Sequence, residues 1–315
     1  MSVTAMAVHG LLLHLAGRLP DDELAVLRTC LADGELSEIA EALVTAGAAD
    51  RLSFTEQELR VLAPLATEHG FDPPPHRSGE PPQWRFTRST SAASAGDAAA
   101  VEAVGRVGGM RALWRSRRDS DGGMVYLGEA GPDADAVELT AEIQHRLTEA
   151  GQLPRVEVFP VGAELPAYHE AALAAAELVW PESPPQPRLA RVFDGRDAAG
   201  NPFFRPDRGH VEPAVQQRLL AYLSAGPVVL GTDAVMHDVL DSGRSPAVGL
   251  NFRSDGTWIW NDAVCYYLER HRLAPDPELI AHVTAAPAMP AGLSRLVLHC
   301  ARNVLSTPET RAGQR

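Results

Sequence analysis

The sequence predicts an α+β or α/β protein: a small N-terminal helical bundle, a Pro-rich linker, then a mixed α/β sheet region with helices packed on it. Three observations predict it. Leucine-rich segments recur at helical spacing up to about Gly70. Composition then turns to Pro, Ser, Ala and Gly over 71–100. Beyond Gly123, short β-branched runs alternate with longer helical patterns. The chain is thus divided into an acidic helical bundle (1–70), a linker (71–100), a β-α-β-α subdomain (101–180), a C-terminal α/β domain (188–306) and a tail (307–315).

In the bundle, Leu11, Leu12, Leu13 and Leu15 make a first helix ending near Gly17. Leu24, Leu27 and Leu31 stripe a second, with Gly34 as its left-handed stop. Ile39, Leu43 and Val44 stripe a third, closing at Gly47. Ser53 and Glu56 have capping-box spacing ahead of a fourth carrying Leu59, Leu62 and Leu65, with Pro64 placed to kink it. Up to Gly70 four arginines face eleven acids. The run from Leu36 to Glu41 superficially matches the start of a helix-turn-helix, but its would-be recognition helix opens Thr55-Glu56-Gln57-Glu58, which phosphates repel. An acidic docking module is the better reading.

The linker contains Pro73-Pro74-Pro75 and Pro81-Pro82, which keep it extended, and Trp84-Arg85-Phe86 as a point of attachment to a domain surface. Next comes a basic stretch, Arg106, Arg111, Arg115, Arg117 and Arg118, around Trp114. It reads as a solvated helix face or a contact with the acidic bundle, or alternatively as a patch for an anionic partner. Gly105-Arg106-Val107-Gly108-Gly109 follows no strand and lacks dinucleotide-binding spacing.

Met124–Leu127 predicts a strand, Ala136–Ala150 a helix, Val156–Phe159 a second strand parallel to the first, and Ala167–Leu178 a second helix. His145 and His169 read as surface or boundary histidines. A proline-rich break, Pro181–Pro187, precedes a strand at Arg188–Phe193 and a hairpin returning at Phe203-Phe204-Arg205. A helix with Leu219, Leu220 and Leu223 follows, then a buried strand Val228–Leu230 whose Gly231-Thr232-Asp233 turn leads into a helix holding His237-Asp238.

The best-specified stretch runs from Pro246 to Pro277. Ala247–Phe252 and Thr257–Trp260 predict strands joined at Ser254-Asp255-Gly256. Asn261 caps the next helix, and Asp276-Pro277 starts another. Trp258 and Trp260 share one strand face, with Ile259 opposite. They anchor helices to the sheet or, alternatively, offer an aromatic platform to a ligand. A last helix carries Leu293, Leu296, Val297, Cys300 and Val304.

Composition excludes whole chemistries. The 315 residues include no lysine, so all 28 basic residues are arginine. Schiff-base chemistry, the P-loop lysine and the kinase strand lysine are therefore absent. A net charge of −13 argues against nucleic-acid binding by the whole chain. Cys30, Cys265 and Cys300 have no metal-ligand spacing and read as buried thiols in a reducing compartment. Neither a signal peptide nor a membrane-spanning run is expected, so the cytoplasm is the expected location. No metal or cofactor is expected.

Three functions remain. The first is a non-enzymatic regulatory or protein-interaction protein with a protein partner. The second is a small-molecule or nucleotide-handling enzyme at the Gly231–Asp238 turn. There Asp233 would orient His237 as base, and Arg205 or Arg208 would hold an anionic substrate. The third is an anion binder working through Arg106–Arg118.

The run FRSDGTWIWNDAVCYYLERHRLAPDPELIAHV resembles a module recurring in uncharacterised actinobacterial proteins, and VYLGEAG and VEVFPVGAELPAYHEAALAAAELVW resemble its companions. The resemblance spans about the last two thirds of the chain. It implies a bacterial source and assigns no residue a role.

Overall fold

The computed structural model describes residues 4–76, 82–88, 94–241, 243, 247–286, 288–290 and 292–306. The predicted tail, Pro246 and residues 77–81 and 89–93 of the predicted linker lie outside these. Two compact units, Met1–Ser183 and Pro184–Arg315, each carry helices on β-sheet, giving an α+β protein.

The first unit opens with α1 (Ala5–Leu15), α2 (Asp21–Ala32), α3 (Leu36–Ala48) and α4 (Glu56–Glu68). Their apolar stripes converge, as the spacing predicts, on a core of Leu12, Leu15, Leu24, Ile39, Leu43, Leu62 and Leu65 around Phe54. The capping box of α4 is Thr55–Glu58 rather than Ser53–Glu56. Thr55 has the extended backbone of an N-cap, and its N–H donates to Glu58 at 2.9 Å. The expected 1–70 bundle and 101–180 subdomain both fall within this one unit. Trp84 Nε1 donates to the Gly17 carbonyl at 3.3 Å, and its ring meets Tyr168 edge-on. The following β1 (Phe86–Thr87) already belongs to the sheet.

Residues expected to end the linker instead form α5 (Ala95–Val107), capped reciprocally by Ser94 and Asp97. The arginine-rich stretch after it is no helix face; it is the nine-residue strand β2 (Met110–Arg118). β2 pairs antiparallel with β3 (Met124–Ala130), which pairs in parallel with β4 (Val156–Pro160) through the crossover helix α6 (Ala136–Glu149). This is the predicted β-α-β unit. Helix α7 (Ala167–Ala174) stops four residues before its expected end at Leu178. Glu177–Trp180 is instead β5, antiparallel to β2, where Glu177 pairs with Arg115. Backbone pairing and that ion pair override the helical pattern of the alanine run.

In the second unit a four-stranded sheet has the order β6-β13-β12-β9. Strand β6 (Arg188–Leu189) is shorter than expected, and the hairpin of β7 (Gly195–Arg196) and β8 (Pro202–Phe203) lies outside that sheet. Helix α8 (Pro213–Ala225) leads to β9 (Val228–Leu230), of which only Val229 is buried. The expected helix after β9 does not form: the chain runs on into β10 (Val235–Met236), paired with β11 (Val248–Gly249). The single strand expected over Ala247–Phe252 is therefore split between β11 and β12 (Phe252–Ser254). Asn251 stands at the split, where its side chain accepts the Thr232 N–H and donates to Asp262, both at 2.9 Å.

β13 (Trp258–Asn261) and α9 (Asp262–His271) follow as predicted, with Asn261 as cap. Trp258 and Trp260 enter a core with Leu223, Leu268 and Val283, the last from α10 (Pro277–Ala285). Ile259 enters the opposite one with Val229, Phe252 and residues of α11 (Arg295–Ser306). No described helix is long and apolar enough to cross a membrane.

Candidate functional site

The strand-to-helix turn at Gly231–Asp238 loses its geometry with the missing helix. Asp233 and His237 are both exposed, and i, i+4 spacing on a non-helical segment does not bring them to one face. Asp238, by contrast, is 1% exposed. Arg208 is a structural staple: it donates to the carbonyls of Val192 and Ala274 and to Asp194, and covers the Phe204 ring. Arg205 is exposed, and its backbone N–H donates to Asp194 at 2.9 Å.

Trp258 and Trp260 are 4% and 0% exposed, so neither presents a face to a ligand. Trp260 Nε1 donates to the Leu223 carbonyl at 3.1 Å, and Arg188 stacks 4.5 Å from the Trp258 centroid. They anchor the helix layer.

The arginine stretch is engaged internally. Arg115 is 4% exposed and lies between Asp97 and Glu177, with Tyr126 donating to Asp97 at 3.0 Å. Arg118 joins Asp121 to Asp21 of α2, the expected contact with the acidic helices. Arg106 pairs with Glu102 one helical turn away. Arg111 and Arg117 are exposed.

Three polar clusters were invisible to local spacing. In the first unit Glu157 on β4 is nine-tenths and more buried and receives Arg28 at 2.5 Å and His169 at 3.0 Å. Burial would raise its pKa, but the Arg28 charge and the His169 contact outweigh it and hold the carboxyl below its usual range. His169, expected at the surface or boundary, is 0% exposed.

The other two clusters share a design. Asp238 accepts from His271 at 2.7 Å and Tyr266 at 3.1 Å; Asp255 accepts from His282 and from Tyr222 at 2.9 Å. Burial pushes both aspartates up, and these hydrogen bonds together with backbone N–H donors bring both below the ordinary range. Asp255 belongs to the predicted turn, but its histidine partner is 27 residues away on α10. An Asp–His pair can orient a general base. Among the described residues, however, neither histidine hydrogen-bonds a serine, threonine or cysteine. No group of three described His, Cys, Asp or Glu side chains is placed to hold a metal ion. These clusters fasten loops to helices.

The surface shows a different concentration. Of nine exposed large apolar side chains among the described residues, four fall within 228–240: Val228, Leu230, Val235 and Leu240, at 45–54% exposure. Two are on β9, which closes one edge of its sheet, and Val235 is on β10. Comparison of the chain with protein-family models, curated proteins and solved structures gave no match.

Proposed function

We propose that this is a cytoplasmic regulatory protein that works by docking a protein partner, without catalysis, and that the partner meets the β9–β10 segment. The observation that carries the reading is the exposed apolar run on an edge strand. Apolar surface of this kind is selected against unless something covers it, and an edge strand also offers backbone groups for strand addition. The Asp238–His271 and Asp255–His282 pairs support the same reading, since each aspartate is held by its histidine and by a tyrosine.

The test is recovery of a stoichiometric partner from native lysate by the tagged full chain. Wild type should recover it, and Leu230→Arg and Val228→Arg, checked for an unchanged melting profile, should lose it. Met6→Arg, which alters an exposed residue of the first unit, should retain it. No stoichiometric partner, or equal recovery by all variants, would sink the proposal. A small molecule that stabilises the wild type and no longer stabilises His237→Ala would favour the enzymatic alternative.

A further inference from the structure

A groove of about 490 Å³ lies between α2 and α6, flanked by Val107 and Pro154. Its apolar lining includes Val26, which is 60% exposed, and Ala141. Asp33, Glu138 and Glu142 also line it, and His145 is the one basic side chain among the lining residues. Glu142 is partly neutralised by Arg146 at 2.9 Å; Asp33 and Glu138 are exposed.

The hydrogen-bonding groups in the groove are one-sided. Thr29 donates to the Ala25 carbonyl, Thr148 to the Gln144 carbonyl, and the Gln144 amide nitrogen to Ala25 at 3.1 Å. Their donors thus point back into the helices. The Gln144 amide oxygen accepts nothing among the described residues and is itself closed to solvent, so it belongs to the floor beneath the groove. Exposed carboxylates beside an exposed apolar side chain call for a cationic occupant with an apolar side.

We propose that this groove docks a basic amphipathic helix of a partner protein, its apolar face against Val26 and Ala141 and its Lys or Arg side chains toward Asp33 and Glu138. A helix fits because the groove runs between two helices, where a third packs ridge into groove. Separate residues carry this site and the β9–β10 segment, so the two readings stand or fall independently.

The probe is a fluorescent Lys/Leu/Ala helical peptide, titrated into the full chain by anisotropy, with a Glu/Leu/Ala peptide as its charge-reversed control. Saturable binding is expected for the lysine peptide only. The double variant Asp33→Arg/Glu138→Arg should weaken it roughly tenfold. Val26→Glu should weaken it as well. Glu38→Arg/Glu41→Arg, with the same change in net charge on exposed residues of α3, should leave it within about twofold. Equal weakening by both charge-reversal pairs would mean diffuse attraction and would overturn the site. Absence of saturable binding, or equal binding of the glutamate peptide, would overturn it too.

Discussion

His9 gives the sharpest test of the first unit. It is 1% exposed, and its Nε2 donates to the Val158 carbonyl of β4 at 2.7 Å. The other ring nitrogen, Nδ1, has no partner among the described residues. Protonation would therefore bury both a charge and an N–H without an acceptor. Desolvation, aided by the Arg28 guanidinium and opposed by the Val158 bond, Glu157 and Asp135, brings the His9 pKa down to about 4. The unfolded chain takes up the proton first, at about pH 6.5. Stability is thus full above that pH and declines as the pH falls toward 4. By linkage, the loss from His9 between about pH 7 and about pH 5 is about 2 kcal/mol.

Urea unfolding at the two pH values, for wild type and His9→Gln, isolates this contribution, because glutamine keeps an N–H donor for Val158 and does not titrate. The wild type should lose about 2 kcal/mol more than the variant over the interval, equivalent to roughly 4–8 °C in melting temperature for a unit of this size. Equal losses would refute the reasoning, as would a directly measured His9 titration near its unperturbed value.

Other outcomes follow from the buried ion pairs. Arg115→Ala strands Asp97, which is 5% exposed, and should cost about 3–5 kcal/mol in chemical denaturation while leaving heparin binding unchanged. Asp255→Ala removes the acceptor for the Thr257 and Trp258 N–H groups and for His282 and Tyr222. A loss of about 2–4 kcal/mol, followed by tryptophan fluorescence in urea, is expected. Arg118→Lys keeps the charge but not the fork that spans Asp21 and Asp121, so the melting temperature should drop measurably.

Local signals read well where neighbours in sequence are neighbours in space. The Asn261 and Asp276-Pro277 caps and the β3-α6-β4 unit are legible because a side chain meets a backbone group two or three residues on, or because a hydrophobic period repeats. Strand β2 was hidden because four of its nine residues are arginines; Arg115 is buried where Asp97 and Glu177, distant in sequence, receive it. β5 was hidden in an alanine-rich helical pattern and is set by the edge of β2. The Thr232-Asp233 pair looks like a helix cap, yet Val235 and Met236 pair with β11 instead. With that helix absent, the predicted Asp233–His237 site goes as well. The Asp238–His271 and Asp255–His282 pairs join elements 33 and 27 residues apart, which no short motif encodes.

The buried arginines show why a chain whose basic residues are all arginine need not attract phosphate. The side chains of Arg28, Arg115, Arg118 and Arg155 are 3%, 5%, 11% and 10% exposed, and each is paired with at least one acid. Arg118 and Arg155 share the same two aspartates, Asp21 and Asp121. A guanidinium suits this role: it stays charged when buried and reaches two carboxylates from one rigid plane. The consequence reaches the surface. Part of the positive charge lies inside, where it fastens α2 and α5 to the sheet, while carboxylates such as Asp33, Glu38, Glu41 and Glu138 are exposed. With a net charge of −13, the field that steers a partner is negative. If a basic helix docks in the acid-lined α2–α6 groove as proposed, added salt should slow its association, and a polyanion should not compete with it.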